Sequence, residues 1–334
     1  VLGATYDVTF EILLRGPGGS APPAADAFIA GRVLRAIGFT ENVVSAAIPV
    51  AAEALGAGST TTTAVLGATA AATADLYKGL ALRLASDPAA PLDLTMIRAY
   101  SSAKTATLPE TRSGAPTGNY QIPRQIAYTL SATGTPPVLS FALWQGSSRY
   151  NFVDMAPSSA RIIFPTSSRD SNDYARLQVT FSGNLHSDLA EAAPTVTSTL
   201  AIPPFKGGKL YVAGLPVGGS SVTVDLGLRV GFPPNPNMAS GNDPAQLVET
   251  RRTLTLELNK LAKSYLDILA LATGQGNYSV EIVYGLAAGN YIGFIATDGR
   301  FNFPATQAGG DFFTTSGNFY VDGADKTLSL TFPY

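Results

Sequence analysis

The chain has 334 residues, a formal net charge of −2 and no cysteine. That length suffices for one large domain or two smaller ones with real cores, while the absence of cysteine excludes disulfides, zinc–thiolate sites and thiol nucleophiles. Charged residues are only 14% of the sequence against 46% hydrophobic, where a globular chain usually has about a quarter charged, and no broad basic face for gripping nucleic acid can be built from them.

Residues 6–14 alternate well. Tyr6, Val8, Phe10, Ile12 and Leu14 fall on one side and Asp7, Thr9 and Glu11 on the other, as a half-buried strand requires. The run Gly16-Pro17-Gly18-Gly19-Ser20 breaks it. Residues 21–90 change character: alanine dominates and the apolar spacing predicts helices. One carries Phe28, Ile29, Val33, Leu34 and Ile37 and closes at Gly38; a second runs over 42–55, interrupted at Pro49; a third takes Leu66, Leu76, Tyr77, Leu80 and Leu84 and ends before Pro88. The most apolar stretch, residues 43–57, carries Pro49 and Glu53 and falls short of the roughly 20 apolar residues of a membrane span. The chain opens at Val1 with neither a methionine nor a signal-peptide pattern, so we expect an initiator or a leading segment to precede it.

From residue 92 the pattern predicts strands to the end of the chain, with one interruption. They fall at 94–100, 120–130 (with Pro123 near its start or at an edge), 138–144, 149–153, 161–164, 176–181, 196–202, 209–212 and 221–230. The last is the clearest: Val222, Val224, Leu226, Leu228 and Val230 alternate with Thr223, Asp225, Gly227 and Arg229. Residues 104–119, rich in Thr, Pro, Gly and Ser, read as a loop. Asp243-Pro244-Ala245-Gln246 has the form of a helix start, and Leu247, Leu254, Leu258, Leu261, Tyr265 and Ile268 recur at helical steps before Gly274. Residues 253–258 alternate instead. We therefore expect helix over at least 259–272, with strand-then-helix open for 248–272. Strands follow at 278–284, 291–296, 300–303, 312–313, 318–321 and 328–332; Asp298-Gly299 reads as a hairpin turn and Asp322-Gly323 as another.

Motifs for chemistry are scarce. His186 is the single histidine, placed in a loop with no Gly-x-Ser-x-Gly elbow near it. Arg169-Asp170-Ser171-Asn172-Asp173 is an oxygen-rich turn that lacks the EF-hand spacing, so calcium at a subunit contact stands there only as an alternative to a plain loop. Gly207-Gly208 and Gly218-Gly219 lie between strands, outside any phosphate-loop pattern. Arg251-Arg252 reads as a solvated helix face. Tyr278, Tyr284 and Tyr291 are either core and interface aromatics or a sugar platform, the former favoured. These residues lead us to expect no enzyme activity, no catalytic, cofactor-binding or metal site, and no cofactor.

The fold class expected is mainly β with helical insertions at about 21–90 and 244–273. It forms one antiparallel sandwich over 1–334, or two β domains divided near 235–236. In this layout of many short strands, Pro/Gly/Thr-rich loops, helical insertions and low charge, the chain resembles the jelly-roll capsid proteins of small icosahedral viruses. The resemblance implies an eight-stranded jelly roll, or a double one since more than eight strands are expected. It also implies copies of the chain as partners in a large homo-oligomer and a place in the virion. Such proteins often bind their genome through a basic N-terminal arm; Val1 opens almost directly into a strand, so the arm would precede Val1 or the contact be made otherwise. Two alternatives share the composition: a bacterial surface-layer, adhesin or appendage subunit at the cell surface or outside it, and a carbohydrate-active β-sandwich protein.

Overall fold

Side chains of a strand alternate faces, so a chain written largely in apolar–polar alternation must bury one face of each sheet against another. The computed structural model of the protein resolves this into antiparallel sheets. It describes residues 5–85, 94–131, 137–165, 174–195, 202–204, 208–217, 221–237, 243, 246–247, 253–261, 265–285, 289–302, 305–309, 312–322, 324 and 326–334.

The first large sheet runs Thr5–Leu13, Arg176–Ala190, Ser148–Phe164, Val222–Asp225, Thr253–Leu261, Phe312–Asp322 and Ala305–Gly309 in spatial order, with Leu139–Gln145 beside the first half of Ser148–Phe164. The second runs Phe39–Val44, Gln125–Leu130, Leu328–Pro333, Tyr291–Phe301, Tyr278–Gly285, Lys209–Val212 and Leu215–Pro216. Their inner faces share one core. Ile162, Leu177, Phe181 and Val224 of the first meet Tyr128, Ile282, Phe294 and Phe332 of the second, all fully buried. Phe164 crosses between the layers with its ring 5.2 Å from that of Phe294. The strand Tyr291–Phe301 belongs to both sheets: Gly293–Ala296 pair with Leu328–Thr331, and Arg300–Phe301 pair with Phe319–Tyr320. Pairing of Val222–Asp225 with Thr253–Leu261 runs across residue 235, where a two-domain reading puts its boundary.

Several expectations are corrected. Of the helical insertion at 21–90, one helix is present among the described residues, Ile29–Ala36; the segments expected to be helical at 42–55 and 66–84 carry the strands Phe39–Val44, Ile48–Ala54 and Ala81–Ala85. The reason lies in the spacing. Leu80 and Leu84 are four apart, which suits a helix face and equally one face of a strand, and Leu82 between them is buried with them. At 244–273 the strand-then-helix alternative holds, with Thr253–Leu261 a strand and Tyr265–Thr273 a helix; Gln246–Leu247 is a strand, so the helix expected to start at Asp243 is not found among the described residues. The run at 221–230 stops at Asp225, whose carboxylate accepts the Gly227 amide at 2.9 Å while Gly227 turns to a φ of +57°. Asp298 is not a hairpin turn: it sits at φ 59° inside one continuous strand. His186 lies in a strand, not a loop. The strand expected at 196–202 falls mostly outside the described residues, as do Gly207, Gly218-Gly219, Arg251-Arg252 and the turn Arg169–Asp173.

Residues 45–124 leave the second sheet at Val44 and return at Gln125, its antiparallel partner. Between these points they build a module of two small sheets, Ile48–Ala54/Asn119–Ile122/Ala81–Ala85/Leu94–Met96 and Thr63–Val65/Thr105–Thr107/Ala99–Tyr100. The module has its own core around Leu66, Tyr77, Leu82, Tyr100 and Tyr120. Inside it the Glu53 carboxylate accepts the Tyr120 hydroxyl at 2.6 Å and the Thr69 amide at 3.1 Å, bonds that lower its pKa.

The helix Ile29–Ala36 closes one end of the sandwich, with Leu34 and the following Ile37 buried and the Phe28 ring 5.3 Å from Phe332. It approaches closely because residue 31 is glycine: a Cβ there would lie 2.0 Å from the Tyr128 hydroxyl. Tyr128 cannot easily give way, being fully buried and donating to Glu41 at 3.0 Å. Gly31→Ala should therefore destabilise the protein by about 1–3 kcal/mol despite alanine's better helix propensity, measured by urea unfolding.

Candidate functional site

The residues singled out from sequence do not converge. His186 is exposed and is the extra residue of a β-bulge: Asn151 pairs with Ser187 and Phe152 with Leu185, leaving His186 unopposed. Such a bulge bends the strand and re-aims one side chain. Tyr284 and Tyr291 are buried, and Tyr278 packs on the main core. They therefore present no joint platform to a sugar, and the core reading of these aromatics holds. Among the described residues, no group of three or more His, Asp or Glu is arranged to hold a metal ion.

An apolar groove of about 480 Å³ lies between the end of Thr5–Leu13 and the helix Ile29–Ala36. Leu13 and Ile29 form its rim, 41% and 78% exposed, and Arg15 is the charged side chain in its lining. Paired carboxylates, which glycosidic chemistry needs, are not part of that lining.

Among the described residues the carboxyl whose pKa burial raises most is Glu281, which the sequence does not single out. In Tyr278–Gly285 the side chains of Val280, Ile282 and Tyr284 point into the main core, so Ser279, Glu281 and Val283 face outward. That outer face is covered by the 45–124 module. Ala81, Leu94 and Met96 pack on Val283, Tyr291 and Ile295, and Glu281 is left 1% exposed. Glycine at 293 permits the contact, since a Cβ there would meet the Met96 sulfur at 2.6 Å. One Glu281 oxygen accepts the Met96 amide at 2.6 Å and the Thr95 hydroxyl at 2.9 Å. The other oxygen is enclosed without a hydrogen-bond partner among the described residues.

Nearby, Glu110 is buried and paired with Arg112 at 2.5 Å, and Lys209 reaches the Leu94 carbonyl at 3.4 Å. Burial pushes the Glu281 carboxyl up to about 8, and the charge of Glu110 adds to this. The Met96 amide, the Thr95 hydroxyl and Lys209 oppose the shift. At neutral pH the group is thus uncharged, and it acts as a polar latch between module and sandwich. Its enclosure leaves no path for a substrate. Nothing in the local sequence marked it, because a glutamate at an outward strand position normally reads as solvated. Only the module folding back over the sheet buries it.

No protein-family model matches the chain, and no curated protein matches it. No helix among the described residues is long and apolar enough to cross a membrane.

The latch has a pH signature. A carboxyl whose folded pKa is about 8 against an ordinary 4.5 keeps its proton in the folded state where the unfolded chain has lost it. Its contribution is therefore full below pH 4.5, and falls as pH rises towards 8. Wild type should lose on the order of 1 kcal/mol per pH unit across that window relative to Glu281→Gln, which mimics the neutral acid. Urea unfolding of both proteins at pH 5, 6, 7 and 8 checks this; parallel pH profiles would show that Glu281 is not the titrating group.

Proposed function

We propose that this chain is a self-assembling structural protein, a capsid subunit that packs with copies of itself into a closed shell around a genome in the virion. The observation that carries the reading is a surface short of charge that nevertheless shows apolar side chains. Charged residues are 14% of the sequence, and Ile29, Val50, Val138, Leu143 and Leu189 are 42% exposed or more. Single exposed apolar residues are ordinary. Joined to an open groove and to sheet edges without a strand partner among the described residues, they form surface that association would cover. The antiparallel two-sheet architecture, with the paired strands Leu139–Gln145, Ser148–Phe164 and Arg176–Ala190 and a module within 45–124, supports the reading, and a jelly-roll connectivity belongs to this proposal.

Light scattering and negative-stain electron microscopy of the purified protein across salt and pH test it. Closed particles of uniform diameter are the expected outcome, with nuclease-protected nucleic acid if assembly occurs during expression. Flat lattices or filaments would favour a surface-layer or appendage subunit. A monodisperse monomer under every condition overturns the reading.

A further inference from the structure

We propose that the strand Leu139–Gln145 is a self-pairing edge. Two copies of the chain lay these strands side by side, antiparallel about a two-fold axis, and so join their first sheets into one. This rests on the self-assembly reading and names a contact within it.

Leu139–Gln145 pairs only with Ser148–Phe164, so its outer edge has no strand partner among the described residues. An open edge presents unpaired amides and carbonyls to any other strand, and monomeric proteins guard such edges with charge, proline or bulges. Of the other outer strands, Thr5–Leu13 carries Asp7 and Glu11, Phe39–Val44 carries Glu41, Leu215–Pro216 carries proline, and Ala305–Gly309 is five residues long with no large apolar residue. Leu139–Gln145 reads Leu-Ser-Phe-Ala-Leu-Trp-Gln, seven residues without charge or proline; its pairing with Ser148–Phe164 shifts register between Leu139 and Phe141 and is regular from Phe141 to Gln145.

The two kinds of edge differ in what self-pairing would do. Thr5–Leu13 paired with itself about Thr9 would set Asp7 against Glu11 of the second copy, an unfavourable opposition of like charge. Leu139–Gln145 paired about Ala142 sets Phe141 against Leu143 and Ser140 against Trp144, twice each by symmetry. Phe141 already packs against the rings of Phe152, Phe181 and Phe10 at 5.5, 5.8 and 6.0 Å. The incoming Leu143, 44% exposed in the single chain, therefore extends that aromatic cluster across the axis. On the opposite face, Trp144 stacks with the Arg149 guanidinium 5.3 Å from its ring centre, and its indole nitrogen is enclosed without a hydrogen-bond partner among the described residues. The second copy brings the Ser140 side chain to the face that carries this ring.

The sequence has no cysteine, so Ala142→Cys introduces a single thiol per chain at the proposed axis. Opposed residues of antiparallel strands sit about 4.5–5.5 Å apart at Cα, within disulfide range. Mild oxidation of the full-length variant should give a covalent dimer on a non-reducing gel, and Thr9→Cys, on the acidic edge, should not. Ala142→Lys places like charges face to face and should weaken self-association about tenfold or more by light scattering, with an unchanged circular dichroism spectrum. Ser140→Lys, at an exposed position, repeats the measurement if the first variant loses its fold.

Particles that form while Ala142→Cys stays uncrosslinked, or that form equally well with lysine on this strand, overturn the contact and leave self-assembly standing. Equal crosslinking of Thr9→Cys overturns it as random collision. A wild-type chain that never associates and an uncrosslinked variant together overturn both.

Discussion

The architecture depends on one strand serving two sheets. Tyr291–Phe301 pairs through its first half with Leu328–Pro333 and Tyr278–Gly285, and through its last residues with Phe312–Asp322. A strand can pass from one layer of a sandwich to the other only by a local bend. Here Asp298 takes a left-handed φ of 59° and is followed by a glycine with no room for a side chain, since a Cβ at Gly299 would lie 2.3 Å from the Phe319 ring. Because the corner is covalent, the layers cannot slide apart. Their inner faces fill with large aromatic residues from both sides: Phe164, Phe181, Phe294, Phe319 and Phe332 are all fully buried.

The same sheet positions the 45–124 module. Its two ends are adjacent partners, Val44 opposite Gln125, so the excursion costs the sheet no pairing. Gln125–Leu130 is buried on both faces: Ile126, Tyr128 and Leu130 point into the main core, and Ala127 joins the module's own core. Gln125 ties the two together, accepting the Ala81 amide at 2.9 Å and donating to its carbonyl at 3.2 Å. Glu281 then stands in a second apolar seam rather than on a surface, which is why its carboxyl stays protonated where an ordinary glutamate would be ionised.

Much of the strand content was legible because one-sided burial writes itself as alternation. Tyr6, Val8, Phe10 and Ile12 and the stretch from Tyr278 to Tyr284 alternate for that reason, and both are strands. What misled was degeneracy. Leu80 and Leu84 satisfy a period of two and of 3.6 alike, and an alanine-rich background tilts the choice to helix. Asp298-Gly299 carries the chemistry of a hairpin, yet the tertiary structure uses its φ freedom for a sheet-to-sheet corner. Of the electrostatic seam at Glu281 the sequence showed nothing, since Thr95, Met96, Glu110, Lys209 and Glu281 meet only through long-range packing. The open edge at 139–145 was visible as a strand, but no local signal tells an edge strand from a central one.

Several of the few charges of this chain are engaged inside one copy. Glu53 and Glu41 bind the hydroxyls of Tyr120 and Tyr128; Arg98 and Lys326 hold the carbonyls of Asn277 and Asp75; Glu110 pairs with Arg112, and Glu281 is neutral. Arg98 and Lys326 fasten the module to the sandwich and Glu53, Glu110 and Arg112 hold the module together, so these groups cannot also guard the rims. A larger protein would add charged loops for that purpose. Here the strand from Leu139 to Gln145 and the groove beside Ile29 are left with apolar side chains at the surface, which the self-association proposed above would cover. Scarcity of charge and internal use of charge are two aspects of one arrangement. A fold that uses its ions to hold its own parts together keeps few with which to hold its neighbours away.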